Sequence, residues 1–88
     1  MFINKAKDGR NNVCGLQIAF FRKKQGKSQR ELADDLQRCG LDVDKNAVQR
    51  IEAGKRFVTD IELVYLSEVL GVSYEELLRD WIPDGKTT

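Results

Sequence analysis

The chain has 88 residues, 41% of them hydrophobic and 33% charged, with a net charge of +1. That is one domain with one modest core, soluble and helical in balance. No apolar run approaches the roughly 20 residues of a membrane span. The stretch from Met1 to Asn12 also lacks the apolar run of a secretory signal, so the expected location is the cytoplasm. The charge is unevenly placed: thirteen basic against seven acidic residues up to Val58, and two against seven beyond it. Such a bipolar chain can turn its basic pole toward an anion and its acidic pole away.

Residues 1–12 are polar and carry Lys5, Lys7 and Arg10. They read as a flexible basic arm, either mobile or laid along a phosphate backbone or minor groove. The domain proper is expected over residues 13–82, with 83–88 as a tail. A first helical pattern runs from about Val13 to Gln25, with Leu16 or Ile18 and then Phe20 or Phe21 inward, and Gly26 stops it. Ser28-Gln29-Arg30-Glu31 is a capping box opening a second helix, with Leu32, Ala33 and Leu36 on its apolar face. Gly40 suits its C-terminal end. Leu41-Asp42-Val43 leads to Asp44, an N-cap for a third helix with Ala47, Val48 and Ile51 inward and Gly54 at its end.

Thr59-Asp60-Ile61-Glu62 is a second capping box, and its helix carries Leu63, Leu66 and Leu70 up to Gly71. Ser73-Tyr74-Glu75-Glu76 is a third box. It opens a short fifth helix with Leu77, Leu78 and Trp81, closed before Pro83. Boxes, periodicity and glycine stops agree on an all-α domain of five short helices.

The third helix has an unusual outer face. Lys45, Asn46, Gln49 and Arg50 lie on one side of it, opposite Val48 and Ile51. Lys and Arg match guanine edges, and Asn and Gln match adenine edges. The bland alternative is an ordinary solvated helix surface. Lys27, Gln29, Lys55 and Arg56 bracket the helix with donors suited to phosphate oxygens.

Catalysis has little support. Histidine is absent, and neither a glycine-rich phosphate loop nor a nucleophile elbow occurs. Cys14 and Cys39 are too few and too far apart for a disulfide framework or a metal site, and read as reduced thiols in or near a core. Asp34-Asp35 reads as a solvated pair, not an acid/base pair. No metal, cofactor or small-molecule ligand is expected.

The run Gly15…Ile18…Phe21-Arg22…Ser28-Gln29-Arg30-Glu31-Leu32-Ala33…Leu36 resembles the first half of the lambda-repressor-like, XRE-type helix-turn-helix family. Val48…Ile51-Glu52-Ala53-Gly54-Lys55-Arg56 resembles its recognition helix and following turn, and Leu63…Leu66…Leu70-Gly71-Val72-Ser73…Leu77 its closing helices. The resemblance covers about residues 14–80. It implies a compact five-helix domain and a transcriptional regulator, of repressor type, on double-stranded DNA. Lys45, Asn46 and Arg50 match positions that contact base edges, and Gln49 a more variable one. Gln29 matches a phosphate contact that also supports the third helix, and Lys55 and Arg56 the basic turn near the backbone. Arg22 and Glu52 match a structural ion pair. The chain departs from the family between Leu36 and Val48, where the turn is about five residues longer. A homodimer on DNA is expected. Trp81 and Ile82 read either as a cap on the core or, with Leu78, as a contact to the second copy. The alternative function is a protein-interaction module of the same fold, such as an antitoxin or adaptor.

Overall fold

The computed structural model describes residues 5–6 and 8–79, and over them the chain forms five helices and no strand. These are α1 (Gly15–Lys24), α2 (Gln29–Arg38), α3 (Lys45–Glu52), α4 (Asp60–Leu70) and α5 (Tyr74–Leu78). Trp81, Ile82 and the tail 83–88 lie outside the described residues.

Each helix from α2 onward starts where a side chain satisfies its free amides. Ser28, Thr59 and Ser73 each close a capping box, with Glu31, Glu62 and Glu76 as the reciprocal carboxylates. Asp44 caps α3, its Oδ1 accepting from the Ala47 amide at 2.8 Å. Helix α1 begins two residues later than its apolar pattern predicts. Its first amide, from Gly15, donates to the Asn12 side chain at 2.8 Å.

The inward faces converge on one core: Cys14 and Ile18, Leu32, Ala33 and Leu36, Val43, Val48 and Ile51, Leu66, Leu70 and Leu77. In α1 it is Ile18 that is buried, with Phe21 packed beside the core, while Leu16 and Phe20 face out. Burial pushes the Cys14 thiol up to about 11, so it stays protonated. Cys39 is instead exposed, because it is the C-cap residue of α2 and stands at the surface.

The lengthened turn follows directly. Gly40, at φ +107°, reverses the chain in a conformation that other residues resist. The Leu41 amide then returns to the Leu36 carbonyl at 3.0 Å. Leu41 packs on the core and Val43 is buried in it, while the Gln37 side chain donates to the Val43 carbonyl at 2.7 Å. The turn is therefore a folded, anchored segment that delivers Asp44 to the head of α3. Helix α3 packs on α2 and α1. The acidic helices α4 and α5 pack on α1 and on each other, with α4 also against α2.

The arm expected to run free through residue 12 is held from Arg10 onward. A helix end leaves its last carbonyls without intrahelical partners, and residues 10–12 supply donors to those of α3, as described below.

Leu32 is completely buried at the centre of the core. Leu32→Ala is expected to lower stability by roughly 2–5 kcal/mol. Urea unfolding should report it as a lower midpoint with an unchanged slope.

Candidate nucleic-acid interface

Helix α3 has a sharp inside and outside. Val48 and Ile51 are almost fully buried, at 1% and 2% exposure. Lys45, Asn46, Gln49 and Arg50 are all exposed. The ion pairs among the described residues involve Arg22, Lys27, Arg38 and Arg56, leaving Lys45, Arg50 and Lys55 unpaired within that set. The four polar residues thus form one open face rich in donors, with two cationic heads.

Toward the start of α3 this face joins a polar cleft of about 340 Å³. Lys45 and Asn46 line one wall, and Arg30, Asp34 and Gln37 of α2 line the other. Asp44, the N-cap to which the longer turn leads, also lines this cleft. Arg30 is a candidate site residue that sequence reasoning missed. Its signal was its place in the first turn of α2, on the side opposite Leu32 and in helical register with Asp34 and Gln37.

Beneath the open face sits the joint that holds α3. Arg22 donates from Nε to Glu52 Oε2 at 2.7 Å and from Nη2 to Glu52 Oε1 at 3.0 Å. Its Nη1 reaches the Lys27 carbonyl at 2.8 Å. Gln29 donates its amide to Glu52 Oε1 at 3.0 Å. One carboxylate therefore gathers donors from α1 and α2, and both charged side chains are over nine-tenths buried. The bond to Glu52 raises the Arg22 proton affinity above its ordinary value.

The expected phosphate donors are not equivalent. Lys55 is exposed and unpaired within the described residues. Gln29 is oriented by Glu52. Lys27 lies 2.9 Å from Asp35, which Arg38 also contacts, so Asp35 is a paired carboxylate and not a solvated one. Arg56 is bidentate on Glu62, at 3.0 and 2.9 Å. Lys27 and Arg56 would have to leave these carboxylates to hold a phosphate.

A second joint lies at the far end of α3, and no sequence motif marked it. Asn12 is buried to 8% exposure. Its Nδ2 donates to the carbonyls of Ile51 at 2.9 Å and Arg56 at 2.8 Å, while its Oδ1 accepts from Gly15. The Asn11 amide and side chain donate to the carbonyls of Gly54 and Lys55 at 2.8 and 3.0 Å. Arg10 Nη2 donates to the Glu52 carbonyl at 2.5 Å. Its charge also complements the negative end of the α3 dipole.

Among the described residues no helix is long and apolar enough to cross a membrane, and no group of three or more His, Cys, Asp or Glu residues could hold a metal ion. A helix capped by Asp44, pinned through Glu52 and showing a cationic polar face, is the arrangement of a DNA-binding helix-turn-helix domain. The sequence matches the helix-turn-helix family over residues 18–77, and the chain belongs to that family, in its lambda-repressor-like form.

The solved structures it resembles agree on the fold. The restriction-modification controller protein C.AhdI from Aeromonas hydrophila is 26% identical, covers 73% of this chain and 86% of its own, and superposes with a TM-score of 0.63. The hypothetical transcription factor NHTF from Neisseria is also 26% identical, with 75% and 70% coverage and a TM-score of 0.65. The clp gene regulator ClgR from C. glutamicum is 22% identical, with 86% and 92% coverage and a TM-score of 0.69. No curated protein matches the chain.

Removing Arg22 strands a buried carboxylate. Arg22→Ala is therefore expected to cost roughly 3–5 kcal/mol by chemical unfolding at neutral pH. The Arg56–Glu62 pair has a pH signature. Hydrogen bonding from Arg56 holds the Glu62 carboxyl below its ordinary value of 4.5. Its contribution is complete above that value and disappears as pH falls through the lower folded-state value. Thermal melts from pH ~6 to ~2 should lose stability less steeply in Glu62→Gln than in the parent chain.

Proposed function

We propose that this protein is a sequence-specific DNA-binding transcriptional regulator, of repressor type, that reads the major groove with α3. The observation that carries this reading is the open face of Lys45, Asn46, Gln49 and Arg50 on a helix anchored from behind by Val48, Ile51 and Glu52. Side chains of these types pair with base edges, and the anchored inner face holds them in a fixed register. Lys55 and Gln29 flank the helix as phosphate contacts that set its position on the duplex. Lys27 and Arg56 are secondary contacts. Arg30, Lys45 and Asn46 meet at the cleft and form the part of the face that the longer turn alters.

The likeness to C.AhdI and to NHTF, a restriction-modification controller and a hypothetical transcription factor, supports a regulatory role. A homodimer on two half-sites one helical turn apart suits a single domain of this size. Leu78 is 38% exposed at the end of α5. We assign it, with Trp81 and Ile82 next along the chain, to the contact between copies. The working location is the cytoplasm, and the family is one of DNA-binding domains and not of enzymes. The near-neutral net charge of +1 favours the second reading, a protein-interaction module without DNA binding.

Selection from a random duplex pool decides between these readings. A regulator enriches a motif whose symmetry and spacing report the dimer. Absence of any duplex binding at low salt leaves the interaction module. Arg50→Ala is expected to lose about 1–3 kcal/mol at one base position and to relax preference there. Lys55→Ala should weaken every sequence alike. An unchanged base preference in Arg50→Ala would move the reading face elsewhere.

A further inference from the structure

We propose that Arg10, Asn11 and Asn12 are positioning residues for the DNA-binding surface: they fix the end of α3 and the Lys55 turn in the orientation that meets the phosphate backbone. This inference rests on the DNA-binding reading above.

From Ile51 to Arg56, every backbone carbonyl except that of Ala53 accepts a hydrogen bond from residues 10–12. The remaining bonds of this turn close it locally. The Gly54 amide donates to Ile51 and the Lys55 amide to Arg50, at 3.0 and 2.9 Å. Lys55 is thereby held through both its amide and its carbonyl, and its exposed side chain leaves from a backbone with little freedom. A cap made only of the local bonds would have stopped the helix equally well. The extra donors come from some forty residues away in the chain, so they fix where the helix end sits against α1.

The fold makes room for this. A Cβ on Gly54 would lie 2.7 Å from Arg10 Cζ, and one on Gly15 would lie 2.6 Å from Arg10 Nη2 and collide with the Ile51 carbonyl. Gly54 and Gly15 thus form a slot whose occupant is the Arg10 guanidinium. Arg10 Nε is buried in it with no partner. A side chain there is held for the two things it does reach, the Glu52 carbonyl and the negative end of the α3 dipole. That partial negative charge would otherwise oppose a phosphate approaching Lys55. Asn12 adds the link to α1 through Gly15.

The test is the salt dependence of binding to a random-sequence duplex, followed by fluorescence anisotropy. Parent chain, Asn12→Ala and Asn11→Ala are compared, with folding checked by circular dichroism. The asparagines are uncharged, so neither can remove an ionic phosphate contact of its own. A purely structural loss scales affinity by the folded fraction and leaves the slope of log K against log salt as it was. A misplaced Lys55 lowers that slope by one phosphate, ~0.9. A lower slope in folded Asn12→Ala, with a smaller fall in Asn11→Ala, supports the proposal. The parent slope in folded variants overturns it. Asn11→Ala decides if Asn12→Ala does not fold, because it leaves the Asn12 joint whole and removes the side-chain bond to the Lys55 carbonyl; the exposed bond from Lys5 that it also removes frees a cation, which could raise the salt slope but not lower it. Loss of salt-dependent binding in the parent chain itself would instead overturn the DNA-binding reading, and this inference with it.

Discussion

The arrangement of the first three helices depends on one buried carboxylate. Glu52 takes two bonds from Arg22 and one from Gln29, so the end of α3 is tied to α1 and to the start of α2 at a single point. A buried charge is costly unless its lone pairs are met, and here the donors come from residues that also begin or end helices. Arg22 completes the set by reaching the Lys27 carbonyl just beyond α1. The same pair that satisfies a charge therefore fixes the angle between the helices that a groove would meet.

Carboxylates elsewhere sort the cations by availability. The chain is rich in Lys and Arg around α3, but Asp35 and Glu62 engage Lys27 and Arg56. Lys45, Arg50 and Lys55 are left outward. Counting basic residues would overstate the reach of the surface toward an anion, because some of them hold the molecule's own loops. The bidentate hold on Arg56 also ties the turn after α3 to the first turn of α4.

Local chemistry was legible in the sequence. Ser28, Asp44, Thr59 and Ser73 announced four helix starts because an N-cap and the amide it accepts from lie within three residues of each other, and three of the four also have a reciprocal carboxylate at that spacing. Gly40 and Gly54 marked helix ends by the same kind of short-range geometry. Val43 could be read as a core residue of the long turn from its type alone. Asn12 could not, since an asparagine ahead of a helix looks like any polar loop residue until Ile51 and Arg56 are brought beside it. Arg10 looked like part of a loose basic arm for the same reason. Which cations on the candidate face would be free was also hidden, because Lys27 and Asp35, or Arg56 and Glu62, are no more suggestive as text than many other pairs. Family resemblance located the Arg22–Glu52 pair, which residue spacing alone did not.

The division of charge along the chain has a consequence for searching a genome. Acidic residues concentrate in α4 and α5, helices that pack mainly on α1, α2 and each other. A regulator built this way is attracted to a polyanion by one side and repelled by the other, so approach in the wrong orientation is short-lived. The attraction is set by the cations outward around α3, Lys45, Arg50 and Lys55, and not by the net charge of the whole chain.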